Sequence, residues 1–281
     1  MNLIRMSVIN KITSHWYVYL IEPHFVTWYG SHFSYHGACD LVLVSNPSFA
    51  FGKGLDIHVR TKHMVNQQFS YVSNAAIRIG DDVLEVVDDG SHFINGVLNS
   101  ELPATIGDFV VTKNTQEICK GKEGDRCSDV ISFVVALVGG DAIRIKVASN
   151  MLHVDIKGSE EQFQGCVGLM GTYPAEHHGK IARDGITFLR DPDTFSEEWQ
   201  VLESEVKLFQ ENRFPQHPQV CTPAVKPTAT QRRLREVEDN EARLAAEEAC
   251  AHVEGYEWEF CVFDVMATGD YGMAATIYGD V

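Results

Sequence analysis

The clearest structural signal in the chain is the sequence IRIKVASNMLHVDI, residues 143–156. Apolar side chains alternate with polar or charged ones on both sides of Ala148-Ser149-Asn150, and this period of two is typical of strands with one buried face. The short segment between the two runs is suited to a turn. The sequence therefore predicts an antiparallel hairpin.

The same alternation recurs outward from this hairpin. Leu55–Arg60 (LDIHVR) alternates in the same way, and Ile77–Ile79 precedes Gly80, which can supply the positive φ of a tight turn. The continuous apolar runs Leu41–Val44 and Val130–Leu137 are typical of strands covered on both faces. We therefore expect a mainly β fold, an antiparallel β sandwich, followed by a small α-helical C-terminal appendage.

Changes in composition divide the chain into four parts. We expect an N-terminal extension over residues 1–21, the sandwich over residues 22–201, a proline-rich linker over residues 202–230 and a helical hairpin over residues 231–281. The run from Gln231 to about Val253 is rich in strong helix formers, and a second helix is predicted from Cys261 to Ala267. The predicted apolar stripe of the first helix consists of Leu234, Val237, Leu244, Ala245 and Ala251.

Charge and hydropathy exclude some partners. The chain has 39 acidic and 23 basic residues, a formal net charge of -16. A surface of this sign disfavours nucleic acid, and the apolar runs fall short of the roughly 20 residues of a transmembrane helix. Residues 1–21 contain no uninterrupted apolar segment of a secretory signal. We therefore expect either that the given start has lost a signal peptide or that the protein is intracellular.

Seven cysteines are scattered along the chain without a Cys-x-x-Cys pair, which argues against structural zinc. Cys119 and Cys127 enclose a flexible polar loop and are predicted to form a local disulfide. Cys250 and Cys261 are predicted to clip the helical hairpin, which we expect to be joined flexibly to the sandwich. In a reducing compartment the alternative is unpaired buried thiols.

Catalytic motifs are missing from the sequence. It contains no phosphate-binding loop, nucleophile elbow or His-Glu-x-x-His pair, so we expect no enzyme activity. A hydrolase that uses a histidine-rich loop is a remote alternative, and metal binding by histidines is disfavoured without a cysteine or carboxylate frame. The histidines considered as metal ligands are His24, His32, His36, His153, His177 and His178, and the histidine-rich loop contains the last two.

Several segments together resemble a von Willebrand factor type D domain. They are residues 22–28 (EPHFVTW), 35–43 (YHGACDLVL), 55–61 (LDIHVRT), 76–85 (AIRIGDDVLE), 95–96 (NG), 168–171 (GLMG), 183–187 (RDGIT) and 195–201 (FSEEWQV). The linker and tail look like the extension that follows such a domain in algal, diatom-like members. The resemblance covers residues 22–201.

The resemblance implies a noncatalytic, disulfide-stapled module that is secreted or on the cell surface, acts in adhesion or matrix assembly, and binds an extracellular protein or glycan. Because type D domains also accompany lipid-transport proteins, a soluble lipid or small-ligand carrier is the alternative function. The resemblance further implies a disulfide between Cys39 and Cys166. Cys221 is then left as a free or intermolecular thiol.

The chain departs from the family pattern where calcium ligands are expected. The matched positions carry Tyr29, Thr172, Pro174 and Lys180, which supply few of the six to eight oxygens that calcium prefers. We therefore expect a lost calcium site and no cofactor. The Cys-x-x-Cys pair associated with disulfide-linked multimers is also missing, which argues against covalent multimers.

Overall fold

The computed structural model describes residues 15–17, 23–64, 69–119, 127–173, 180–211, 221–223, 241–276 and 278. It contains two six-stranded antiparallel sheets and a two-stranded hairpin, with helices at the C-terminal end. The predicted mainly β class, a β sandwich with a helical appendage, is confirmed.

The first sheet has the strand order β1-β14-β13-β12-β11-β10. Its strands are β1 (His15–Tyr17), β10 (Ala104–Ile106), β11 (Phe109–Cys119), β12 (Cys127–Ala136), β13 (Ala142–Ala148) and β14 (Met151–Gly158). Strand β1 pairs with β14 although it lies within residues 1–21, which the sequence separated from the sandwich. The first sheet thus begins before the predicted boundary at residue 22.

The second sheet runs in sequential order from β4 to β9. Its strands are β4 (Asp40–Asn46), β5 (Leu55–His63), β6 (Ser70–Ile79), β7 (Asp82–Val87), β8 (His92–Ile94) and β9 (Val97–Leu98). The separate hairpin consists of β2 (His24–Val26) and β3 (His32–Ser34). Helical segments are α1 (Phe49–Gly52), α2 (Glu160–Phe163), α3 (Pro192–Glu198), α4 (residues 241–249), α5 (Tyr256–Thr268) and α6 (Met273–Thr276).

The predicted hairpin at residues 143–156 is formed by β13 and β14. Ile145 lies opposite Val154, and Ala148 lies opposite Met151. Ser149 and Asn150 between them have φ values of 51° and 59°. Two consecutive positive φ values match the right-handed twist of the flanking strands, so the turn holds the register that buries one apolar face.

The core lies between the inner faces of the two sheets. Its largest fully buried side chains are Tyr35, Phe25, Phe49, Phe133, Phe163 and Phe195. Aromatic contacts connect the elements, since the ring of Phe49 lies 5.7 Å from that of Phe109 and 6.0 Å from that of Phe163. Large rings from strands and connecting segments therefore fill the space between the sheets.

The helical tail packs against the outer face of the first sheet. Ala246, Cys250 and Val265 share an apolar cluster with Val130 and Met151. The junction that was expected to be flexible lies mostly outside the described residues, so its flexibility stays a prediction. The predicted apolar stripe is wrong where it can be checked: Leu244 is 66% exposed, and Ala246, outside the stripe, is buried. Leu234 and Val237 lie outside the described residues.

Residues 202–211, predicted to begin the linker, instead cross the outer face of the second sheet, and we call them the strap. Leu208 and Phe209 form a small buried cluster with Ala76 of β6, which Val83 of β7 joins. The sequence of the strap, LESEVKLFQE, contains one adjacent pair of bulky apolar residues among mostly polar ones. That pair anchors the strap.

Candidate functional site

A disulfide between Cys39 and Cys221 ties the C-terminal half of the chain to the start of β4. The backbones of Ala38 and Thr222 exchange two hydrogen bonds of 2.8 and 3.0 Å, which places the neighbouring cysteines side by side. Their Cα atoms are 4.8 Å apart, and both residues are buried. The expectation that Cys221 is a free or intermolecular thiol is therefore wrong.

The expected pair of Cys39 with Cys166 is also wrong, and the strand register gives the reason. Val167 forms a bridge with Ser45 near the far end of β4, whereas Cys39 precedes that strand. At about 3.3 Å per residue the two cysteines are about 20 Å apart, beyond the ~7 Å limit for a disulfide. Cys166 is a buried free thiol, and burial raises its pKa to about 12.

A second disulfide joins Cys250, after α4, to Cys261 within α5, with a Cα separation of 5.9 Å. This is the linkage that the spacing predicts. Cys119 and Cys127 are directly opposite partners in the register of β11 and β12, although their side chains lie outside the described structure. Their predicted disulfide stays a prediction.

The strap covers an ionic network on the second sheet. Arg60 of β5 makes two hydrogen bonds with the carboxylate of Asp40, of 2.7 and 2.8 Å. It also donates to the carbonyl oxygen of Glu211 at 2.9 Å, and its guanidinium lies 4.5 Å from the centre of the Phe209 ring. One arginine thus connects two strands to the strap by charge, hydrogen bonding and a cation–π contact.

Glu85 of β7 is the second anchor of the strap. Its carboxylate accepts hydrogen bonds from the backbone N–H of Gln210 at 2.8 Å and from the side chain of Asn74 at 3.0 Å. Burial raises the pKa of Glu85, while these hydrogen bonds and Arg60 act in the opposite direction. The strap is therefore fixed through its backbone as well as through its apolar pair.

A separate buried cluster lies on the first sheet. Asp155 accepts hydrogen bonds from His153 Nε2 at 2.6 Å and from Arg144 Nε at 2.7 Å, and Lys146 Nζ is 4.0 Å away. Burial alone would raise the pKa of Asp155, but the neighbouring His153, Lys146 and Arg144 hold it far below its ordinary value. Burial lowers the pKa of His153, against the opposing effect of Asp155.

Two histidines of the β2–β3 hairpin lie against the same ring of α5. His24 is buried and stacks on Phe260 of α5 with ring centres 4.0 Å apart, and burial lowers its pKa to about 3. His32 contacts the same ring at 5.6 Å. Within the described residues, no three histidine, cysteine or acidic side chains converge to hold a metal ion. His177 and His178 lie outside the described residues.

Two positions that the type D resemblance matches to calcium ligands lie side by side. The hydroxyl of Tyr29 donates to the carbonyl oxygen of Thr172 at 3.3 Å. Lys180 is engaged elsewhere, since its Nζ donates to the carbonyl oxygen of Arg190 and lies 5.4 Å from the Phe33 ring centre. Pro174 lies outside the described residues.

Comparison of the chain with protein-family models gives no match, and comparison with curated proteins gives none. Among the helices that the structure describes, none combines the length and apolar character needed to cross a membrane. The two described disulfides are compatible with a secreted protein.

The sequence did not reveal the network beneath the strap. Asp40 and Arg60 are 20 residues apart, and they become partners only because β4 and β5 pair in the register that places them opposite each other. The one local sign in the sequence that this segment packs on the fold is Leu208-Phe209, since a bulky apolar pair in a predicted linker needs a surface to cover it.

Proposed function

We propose that the protein is a noncatalytic binding or assembly module of the extracellular space or cell surface, acting in adhesion or matrix assembly. The observation that carries this proposal is the Cys39–Cys221 disulfide, which spans a sequence separation of 182 residues. Disulfides that close such long loops persist in oxidising compartments and are uncommon in the cytosol. The resemblance to type D domains supports the same context.

The construction of the molecule suits this role. The strap covers part of the outer face of the second sheet, the tail packs against the first sheet and Tyr71 of β6, and one disulfide staples the tail. Such bracing limits local opening under mechanical or proteolytic stress. An extracellular protein or glycan would be the partner, bound through the remaining surface.

The alternative, a lipid or small-ligand carrier, needs an apolar cavity of several hundred Å³. The region between the sheets, where a sandwich could hold such a ligand, is occupied by large buried rings that include Phe25, Phe133 and Phe195. This packing favours the assembly module.

The test is to produce the full chain behind a cleavable secretory leader, label it, and apply it to intact cells. Saturable binding that is lost after surface proteolysis or deglycosylation is expected. Retention of the chain inside the cell in reduced form, or secretion without saturable binding, would contradict the proposal. Native mass spectrometry after incubation with phospholipid or fatty acid tests the carrier alternative, for which a stoichiometric lipid adduct is the expected result.

A further inference from the structure

The strap covers a titratable side chain as well as an apolar one. His58 of β5 lies directly opposite Ala76 of β6, and Ala76 is the residue on which Leu208 and Phe209 pack. His58 is only 4% exposed. Its Nδ1 atom is buried and has no hydrogen-bond partner among the described residues. A neutral imidazole tolerates this position better than a charged one, because a buried charge without a hydrogen bond is costly.

Charged groups from every element packed against His58 are already engaged with other partners. They are Asp56 on its own strand, Asp40 on β4, Arg78 on β6 and Glu205 on the strap. Asp40 is paired with Arg60, and Glu205 with Arg183 at 2.6 Å. Asp56 accepts hydrogen bonds from Ser45 and Arg78. These carboxylates therefore offer limited compensation to an imidazolium.

Burial lowers the pKa of His58 to about 4, against the opposing effect of the nearby carboxylates. We call the state with the strap on the sheet covered and the state with the strap lifted open. In the open state solvent reaches the His58 ring and restores a pKa near 6.5, the ordinary value. The covered state then binds fewer protons than the open state at any pH between these two values. Lowering the pH from 6.5 towards 4 must favour the open state, and below about 4 the effect is complete because both states are protonated.

We propose that residues 202–211 form an acid-released strap, in which protonation of His58 lifts Leu208 and Phe209 from the second sheet. Release uncovers Ala76 and Val83, the apolar patch that these two strap residues cover. The protein would thus present a different surface in a mildly acidic compartment than at neutral pH.

Glu85 acts on the strap in the opposite direction. Because burial raises its pKa from the ordinary 4.5, protonation of Glu85 favours the covered state as the pH falls. Where the two effects overlap, Glu85 reduces the response of His58 measured between pH 7.5 and pH 5.5 and does not produce it. In this interval, pKa values of about 4 and 6.5 correspond to a roughly 10-fold increase in the open-to-covered ratio.

Hydrogen–deuterium exchange of the full chain tests the proposal, with rates corrected for the intrinsic pH dependence of exchange. Peptides covering residues 202–211 should exchange roughly 10-fold faster relative to the intrinsic rate at pH 5.5 than at pH 7.5. Peptides from β13 should show no such change. Strap protection that is constant over this interval would overturn the proposal.

The variant His58→Gln removes the titrating group while keeping a polar side chain of similar size. Its strap should show the same protection at both pH values, whereas the control His252→Gln, in the exposed part of the tail, should keep the roughly 10-fold ratio. A pH response of His58→Gln equal to that of the wild type would contradict the proposal.

If His58→Gln does not fold, Leu208→Val provides a second test. This variant weakens strap packing without touching the titrating group, so exchange should increase by the same factor at pH 7.5 and pH 5.5. The roughly 10-fold ratio between the two pH values should persist. A ratio near one in this variant would contradict the proposal.

Discussion

At the scale of single residues, two buried charged groups are each bonded to partners on neighbouring positions of their sheets. Asp155 is 1% exposed and accepts hydrogen bonds from His153 and Arg144 on the first sheet. On the second sheet Arg60, 6% exposed, is bonded to Asp40. Ionic groups this deeply buried remain charged only while every partner is in place, so the loss of one partner leaves another uncompensated.

The substitution Asp155→Asn should lower the free energy of unfolding by about 3 to 5 kcal/mol, because it leaves Arg144 and Lys146 without their carboxylate. Urea denaturation at pH 7 measures this loss. The control Glu247→Gln removes one partner of the exposed pair with Arg243 and should cost less than about 0.5 kcal/mol. Equal effects of the two substitutions would show that the buried cluster is not a stabilising unit.

At the scale of elements, the strap is part of the fold rather than a linker. Leu208 is 3% exposed, whereas Leu244 on α4 is 66% exposed, so the same substitution at the two positions makes a matched pair. Leu208→Ala should cost about 2 to 4 kcal/mol, and Leu244→Ala less than about 0.5 kcal/mol. Thermal and urea unfolding of both variants measure the difference. A neutral Leu208→Ala would mean that residues 202–211 do not pack on the sheet in solution.

The elements that could be predicted from the sequence are those whose signal is local. Residues 143–156 carry both the alternation and the turn residues of their hairpin, so sequence and structure agree there. The strap could not be predicted, because the proline-rich composition downstream of it dominates the pattern. The stripe on α4 was misplaced because helix propensity does not show which face is buried: Leu244 is exposed, and Ala246 packs in the tail cluster.

The disulfide pairing illustrates the same limit over a longer range. Cys250 and Cys261 are separated by 11 residues, so a helix–loop–helix connection suffices to pair them. The partner of Cys39 depends instead on which segments lie along β4, and that information is contained only in the register of Ser45 with Val167 and of Ala38 with Thr222. Candidate residues could be named from the sequence, but the choice among them required the fold.

At the scale of the whole molecule, we predict that stability does not depend on calcium. Tyr29 and Thr172 contact each other through a hydroxyl and a backbone carbonyl, and Lys180 brings a positive charge to a third matched position. The melting temperature should therefore change by less than about 1 °C on addition of millimolar calcium or of a chelator. A rise of several degrees with calcium, reversed by the chelator, would show that acids such as Asp184 or Asp191 provide a site.

The central claim is that one long-range disulfide and one tail disulfide brace an extracellular module. In the chain-entropy model, the Cys39–Cys221 bond contributes about 5 kcal/mol by restricting the unfolded chain. Mass spectrometry of nonreduced peptides from secreted protein, alkylated after denaturation, measures the pairing directly. We predict peptides that link Cys39 with Cys221 and Cys250 with Cys261, and an alkylated Cys166. A Cys39–Cys166 linkage, or alkylation of both Cys39 and Cys221, would contradict the account.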